Sequence, residues 1–167
     1  MTSWIPVLTT IHILGAITFV LAHGISMVVG FRVKMLSEPD RLRPLLKLSA
    51  QAVVVSTTAL LVVLVSGILG GIAAGWFTSG RYWIWVSLVL LVAVGAVMFP
   101  LATAPLARIR WAMGDKFDSR LRKQLPTEPP GPDELPRMLA AWNPMLPATV
   151  GGVGLALILW MMLAKPF

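Results

Sequence analysis

Four long apolar stretches constrain what this chain can fold into. The helices that they predict run over residues 4–31, 45–76, 83–104 and 148–163. Each stretch holds the roughly 17–25 mostly apolar residues that cross the hydrocarbon core of a bilayer as a helix. Of the 167 residues, 57% are hydrophobic and 13% are charged, whereas an average soluble domain has about 25% charged residues. The sequence therefore predicts one all-α integral membrane domain over residues 1–167, a four-helix bundle.

The positions of lysine and arginine predict the orientation of this bundle. Five of these residues lie between helices one and two, and seven lie between helices three and four. All seven acidic residues of the chain lie in these same two loops. Because basic loops stay in the cytoplasm, we expect two basic cytoplasmic loops and both termini outside. The loops would contact anionic lipid headgroups. The net charge of +7 is explained in this way, and we expect no nucleic-acid binding.

Prolines and one helix-start signature predict the ends of the helices. Ser37 is placed as the N-cap of helix two, with a proline in the first turn. Pro100 and Pro105 predict a kink in helix three near its cytoplasmic end. Beyond the kink, a charged cytoplasmic extension is expected to about residue 124, followed by a proline-rich linker over residues 125–136.

The first apolar stretch contains both histidines of the protein, His12 and His23. They are separated by 11 residues, which in a helix is three turns plus about 20° and a rise of about 16.5 Å. Both imidazoles therefore leave the same face, one in each leaflet. Ionisable groups inside the hydrocarbon core are a functional-site hypothesis by default.

The residues around the two histidines favour a haem cofactor. Small side chains would let a porphyrin approach, and one phenylalanine could pack on it; these residues are Gly15, Ala16, Phe19 and Ala22. One helix cannot place both imidazoles on a single iron at this separation. We therefore expect b-type haem with one site per leaflet and a second axial ligand from elsewhere. That ligand would come from a parallel homodimer through helix one or from methionine, with Met98, Met161 and Met162 as candidates.

Two other interpretations of these residues stay open. Imidazole and thioether ligands also suit copper, although Met161 and Met162 are the one adjacent methionine pair. Without any metal, each imidazole would bond to a serine, a threonine or a carbonyl of a neighbouring helix. The row Gly67, Gly71 and Gly75 is typical of close helix packing, which we favour over a groove for a flat cofactor. Cysteine is absent, so disulfides and thiolate sites are excluded.

The run IHILGAITFVLAHGISMVVGFRVK, the loop SEPDRLRPLLKLS and the terminal MMLAKP resemble a bacterial family of short four-span membrane proteins, catalogued as domain-of-unknown-function family 2269. More distantly, the element His12–Ala16 is similar to one in the CopD-like membrane domain. The family resemblance implies a multi-pass protein of the bacterial cytoplasmic (inner) membrane and supports the four-helix topology. The CopD-like similarity implies copper handling.

Taken together, the sequence predicts a membrane haem protein that transfers electrons, alone or as a subunit of a larger complex with redox partner proteins. CopD-like copper handling is the first alternative. The second is a cofactor-free accessory subunit whose small-residue faces dock to other membrane proteins. The chain shows no substrate-binding constellation, so it is not assigned as an enzyme.

Overall fold

The structure is a computed structural model, and it describes residues 4–36, 38–78, 80–115, 131 and 134–166. The helices, in chain order, are α1 (Ile5–Lys34), α2 (Pro39–Ala73), α3 (Tyr82–Met98), a π-helical turn (Phe99–Thr103), α4 (Ala104–Ala112), α5 (Glu134–Ala141) and α6 (Met145–Ala164).

Four helical spans of this structure are long and apolar enough to cross a membrane. They are Ile5–Lys34, Pro39–Ala73, Tyr82–Ala112 and Met145–Ala164. The described ranges contain helices and turns but no strand. The prediction of an all-α integral membrane bundle with four spans is confirmed.

The second span begins at Pro39, earlier than the sequence predicted, because the basic segment after the loop is itself helical. Glu38 is the N-cap residue and has an extended backbone, without a side-chain cap hydrogen bond, and its carboxylate pairs with Arg41 at 2.7 Å. Ser37, the predicted N-cap, lies outside the described residues. At its other end α2 stops at Ala73 instead of 76, because Gly75 turns the chain with a φ of +68°.

Helices α1 and α2 form a closely packed antiparallel hairpin, the first hairpin. On α1 the residues Gly15, Ala22 and Val29 are buried at a spacing of seven, and α2 buries Ala52 and Ala59 at the same spacing. A seven-residue repeat of small side chains is typical of membrane helices that pack along their whole length. The burial of Gly15 is explained by this packing, because a Cβ there would meet Val62 and Val63 of α2.

Helices α3 and α6 also pack against each other, although α4 and α5 lie between them in the sequence. We call this pair the second hairpin. A Cβ on Gly154 would lie 2.6 Å from Cγ2 of Val94, so glycine is what lets α6 approach α3 there. Near the turn that joins α2 to α3, Trp83, Ile84 and Met161 form a buried cluster. We call this end of the molecule, which also carries Trp76 to Trp85 and Trp160, the aromatic end.

The predicted kink in the third span is a π-helical turn over Phe99–Thr103. Pro100 has no N–H to donate, so the regular hydrogen-bond ladder cannot continue through it. The following helix α4 ends at Ala112, and Gly114, with a φ of +80°, turns the chain. Residues 116–130 of the predicted extension and linker lie outside the described residues.

The two hairpins are joined at the opposite end, which we call the basic end. A buried cluster there combines α1, α2, α4 and the segment around α5; its members are Val29, Val33, Leu42, Leu46, Ile109, Leu139 and Trp142. The indole N–H of Trp142 donates to the carbonyl oxygen of Gly30 at 2.9 Å. The ammonium of Lys34 donates to the carbonyl oxygens of Leu139 and Ala140, at 3.3 and 2.6 Å. These bonds fasten α5 to the first hairpin.

Candidate functional site

A cleft of about 1180 Å³ lies between the two hairpins. It runs from Trp76 and Lys165 at the aromatic end to Arg110 and Trp142 at the basic end. Its lining is overwhelmingly apolar, and no aspartate or glutamate of the described chain lines it. Both histidines do line it. Their face of α1 is therefore directed into the chain itself.

The imidazole of His12 is held in one orientation by α2. Its Nδ1 lies 2.9 Å from the carbonyl oxygen of Val63 and 3.3 Å from Oγ of Ser66. A carbonyl oxygen can only accept, so Nδ1 must carry a proton and donate. The neutral ring then has its lone pair on Nε2, which makes no hydrogen bond to any described residue. Bonds to a carbonyl and a serine of the neighbouring helix are what the cofactor-free interpretation predicts for His12. The same arrangement, with one nitrogen fixed and the other left open, is also typical of a metal-ligating histidine.

Gly67 provides the room for this ring on α2. A Cβ at this position would lie 3.0 Å from Cε1 and 3.2 Å from Nδ1 of His12. Ala16 and Phe19 line the cleft on the α1 side. The imidazole, a small side chain and an aromatic ring are therefore brought to one wall.

His23 is placed differently. Its Nε2 is buried and has no hydrogen-bond partner among the described residues. The same is true of Oγ of Ser26, about one turn further along α1. The ring stacks on Phe19 with centroids 5.6 Å apart and an interplanar angle of 13°. A Cβ on Gly151 would lie only 2.7 Å from Nε2 of His23 and 3.4 Å from Cε of Met98. The ring of His23 thus fits into a notch in α6, where the two hairpins touch.

The other predicted site residues separate into two groups. Ala16, Phe19, Met98 and Met162 line the cleft. Gly15 and Ala22 are buried within the helix packing and do not line it; a Cβ on Gly15 would lie 3.0 Å from Cγ2 of Val63. Met161 is 4% exposed and packs with Trp83 and Ile84 in the cluster at the aromatic end.

Two glycines of the row on α2 leave space for aromatic rings of other segments. Gly67 faces His12, and a Cβ on Gly71 would lie 2.6 Å from Cε2 of Phe77. Gly75 lies beyond the last residue of the helix. The row therefore supports the close packing that we favoured from the sequence.

Comparison with known protein families decides the affiliation of this bundle. The family profile described as "Predicted integral membrane protein (DUF2269)" matches residues 6–166. The chain belongs to the DUF2269 family. No curated protein and no solved structure matches this DUF2269 chain.

Two cations of the DUF2269 chain border the cleft, and neither was predicted from the sequence to lie there. Arg110 lies at the basic end, and its Nε is 2.9 Å from Oδ2 of Asp115. Lys165 lies at the aromatic end, with Nζ 5.0 Å from the ring centroid of Trp76 and 5.8 Å from that of Trp83. The position of Lys165 directly after an apolar helix could have predicted that its ammonium lies at this end, because such side chains keep their charge at the membrane interface.

The donor set of this DUF2269 cleft limits which metals it can hold. Across the described residues there is no group of three or more His, Cys, Asp or Glu side chains close enough to bind a metal ion. Isolated imidazoles and thioethers remain as the available donors. Such a site suits a metal that brings its own ligands, as haem iron does, or a soft ion such as Cu(I).

Proposed function

We propose that this protein is an intramembrane b-type haem protein that transfers electrons, with His12 as an axial ligand of the iron. The observation that carries this proposal is the 2.9 Å bond from Nδ1 of His12 to the carbonyl of Val63. It fixes the ring in the tautomer whose lone pair is on Nε2, the atom that binds iron in histidine-ligated haem proteins.

The cleft supports this proposal by its size and its lining. Ligand pockets are commonly about 300–1,000 Å³ and mostly apolar, and the cleft is about 1180 Å³. Ala16 and Phe19 line it beside His12. Haem, when bound, supplies a one-electron Fe(III)/Fe(II) couple, and the chain's own contribution is to ligate the iron and exclude water.

The two histidines are not equivalent in this proposal. A bond of about 2 Å from imidazole nitrogen to a metal leaves no room for a porphyrin between Nε2 of His23 and the backbone of α6 at Gly151. We therefore favour one haem per chain, at His12, over one haem per leaflet. A second axial ligand would come from Met162, which lines the same end of the cleft, or from a second copy of the chain. The homodimer through helix one stays a prediction.

Copper handling is the second candidate function, and it is favoured by the surroundings of His23. The imidazole Nε2 of His23 and the thioether methyl of Met98 lie within 2.7 and 3.4 Å of one point, the Cβ position of Gly151. An adjacent imidazole and thioether suit Cu(I). The burial of Nε2 without a partner would be explained by a bound ion.

We further propose the orientation and location of the bundle from its charges. The basic end would face the cytoplasm of a bacterial cell, with both termini outside the inner membrane. Anionic lipid headgroups would contact the basic end, and redox partner proteins would dock at either membrane surface.

The test is an absorption spectrum of the full chain purified from haem-sufficient cells, before and after reduction with dithionite. We expect a Soret band and sharp α and β bands on reduction. The variant His12→Ala should lose these bands, whereas His23→Ala, as the matched control, should keep the haem content of the parent chain.

A chain without a Soret band would overturn the haem proposal. Copper analysis of the same sample, with His23→Ala and Met98→Leu as variants, then tests the second candidate. A protein with neither cofactor would favour the accessory-subunit interpretation. Equal loss of haem in the two histidine variants would contradict the assignment of a single haem to His12.

A further inference from the structure

Lys165 places a positive charge at the mouth of the cleft. It follows α6 directly, and its φ of 45° and ψ of 56° turn the chain out of the helix. Its ammonium lies over the indole rings of Trp76 and Trp83, at 5.0 and 5.8 Å from their centroids. Cation–π contacts of this kind hold a lysine without neutralising its charge.

The charge of Lys165 is not compensated by a carboxylate of the described chain, where each ion pair involves an arginine. Arg110, the cation at the other end of the cleft, pairs with Asp115. The cleft therefore has one compensated cation and one uncompensated cation, with an apolar wall between them.

His12 lies nearer to the uncompensated cation. Gly67 faces the ring of His12 and is six residues from Ala73, the last residue of α2 at the aromatic end. Six residues of helix are about 9 Å, a distance comparable with that from the centre of a porphyrin to the carboxylates on its edge. A carboxylate in hydrocarbon is costly, so the acidic edge of a cofactor at His12 should point to this nearer interface.

We infer that Lys165 binds a propionate carboxylate of the haem and thereby fixes which edge of the porphyrin faces the aromatic end. The inference rests on the proposed function, because it requires a haem at His12. The ammonium would donate a charge-assisted hydrogen bond to the carboxylate. Trp76 and Trp83 would hold the lysine side chain in place for this contact.

The test measures haem release from the purified full chain in detergent, by transfer to excess apomyoglobin. The variant Lys165→Gln should release haem b about tenfold faster than the parent chain. Arg81→Gln is the matched control, because it removes one positive charge from an exposed residue of the same end that does not line the cleft. Its release rate should equal that of the parent chain.

A second measurement uses the dimethyl ester of haem, which lacks the carboxylate charge. The parent chain should release the ester about tenfold faster than haem b, and Lys165→Gln should release both at the same rate. If Lys165→Gln still distinguishes the two compounds as the parent does, the inference is wrong while the haem proposal stands. If the parent chain binds neither compound, the haem proposal itself fails.

Discussion

The Nδ1 atom of His12 lies 2.9 Å from the carbonyl oxygen of Val63, across the interface of α1 and α2. The two residues are 51 positions apart in sequence, and the close packing of the first hairpin brings them together. Because the bond goes to a backbone carbonyl, no side-chain substitution on α2 can remove the acceptor. The orientation of the ring is thus a property of how the hairpin packs.

The first prediction concerns imidazole supplied from solution. Replacing His12 by Gly should remove the Soret band of the reconstituted protein, because the axial nitrogen is lost while the cleft is kept. Adding free imidazole at millimolar concentration should restore the band, since the ligand can occupy the space that the side chain leaves. His23→Gly serves as the control, and its spectrum should not respond to imidazole. A His12→Gly spectrum unchanged from the parent would refute the ligand assignment.

The second prediction concerns the space that Gly67 leaves for the ring of His12. An alanine Cβ there would lie 3.0 and 3.2 Å from two ring atoms, and the bond to Val63 prevents the ring from moving away freely. Overpacking of this kind costs about 1–3 kcal/mol, so Gly67→Ala should weaken haem binding by about fivefold or more. Titration of the apoprotein with haem measures this effect.

Gly70→Ala is the matched control for that experiment. It lies on the same helix, and its Cβ would be 4.0 Å from Cβ of Leu8, an ordinary contact. Haem binding by this variant should equal that of the parent chain. A similar loss in both variants would mean that the packing of the hairpin as a whole, and not the ring of His12, determines the affinity.

Much of the fold follows from the sequence, but the structure divides the histidine face in a way that the helical wheel does not. The wheel placed His12, Gly15, Ala16, Phe19, Ala22 and His23 on one face. In the structure Gly15 packs against α2, Ala22 is buried outside the cleft, and the remaining four line the cleft. A face about 100° wide is sufficient to contact two neighbours, and sequence periodicity does not determine which residues meet which neighbour.

The contacts between the hairpins are not encoded in any local pattern. The notch at Gly151 receives His23 because α6 and α1 meet at one height and rotation, which depends on the packing of every helix. The same holds for Lys165 above Trp76 and Trp83. Sequence patterns identify the spans and their small faces, whereas such pairings depend on long-range geometry.

The third prediction concerns membrane orientation. The chain contains no cysteine, so single cysteines can be introduced without removing any native thiol. Thr78 lies at the aromatic end and Glu134 begins α5 at the basic end, and both are exposed. A membrane-impermeant maleimide added to intact spheroplasts should label Thr78→Cys. It should label Glu134→Cys only after the membrane has been permeabilised, because basic loops stay in the cytoplasm. The opposite labelling pattern would reverse the proposed topology.

The fourth prediction concerns the notch where the two hairpins touch. Replacing Gly151 by Ala would place a Cβ 2.7 Å from Nε2 of His23, so either the imidazole or the backbone of α6 would have to move. We expect the free energy of unfolding to fall by about 1–3 kcal/mol, the usual cost of overpacking. Unfolding by SDS in mixed micelles, followed by circular dichroism, measures this change. Gly152→Ala is the control, because its Cβ would have no neighbour within 4 Å, and its effect should stay within about 0.5 kcal/mol.

The double variant His23→Ala/Gly151→Ala separates a specific clash from a general weakness of α6. If the imidazole is what the new Cβ meets, removing it gives the methyl group room, and the double variant should be more stable than the sum of the two single effects predicts. Residues in direct contact show coupling energies of about 0.5–3 kcal/mol in such cycles. Additive effects within about 0.3 kcal/mol would show that His23 and Gly151 act independently, and that the loss in Gly151→Ala does not come from a clash with the imidazole.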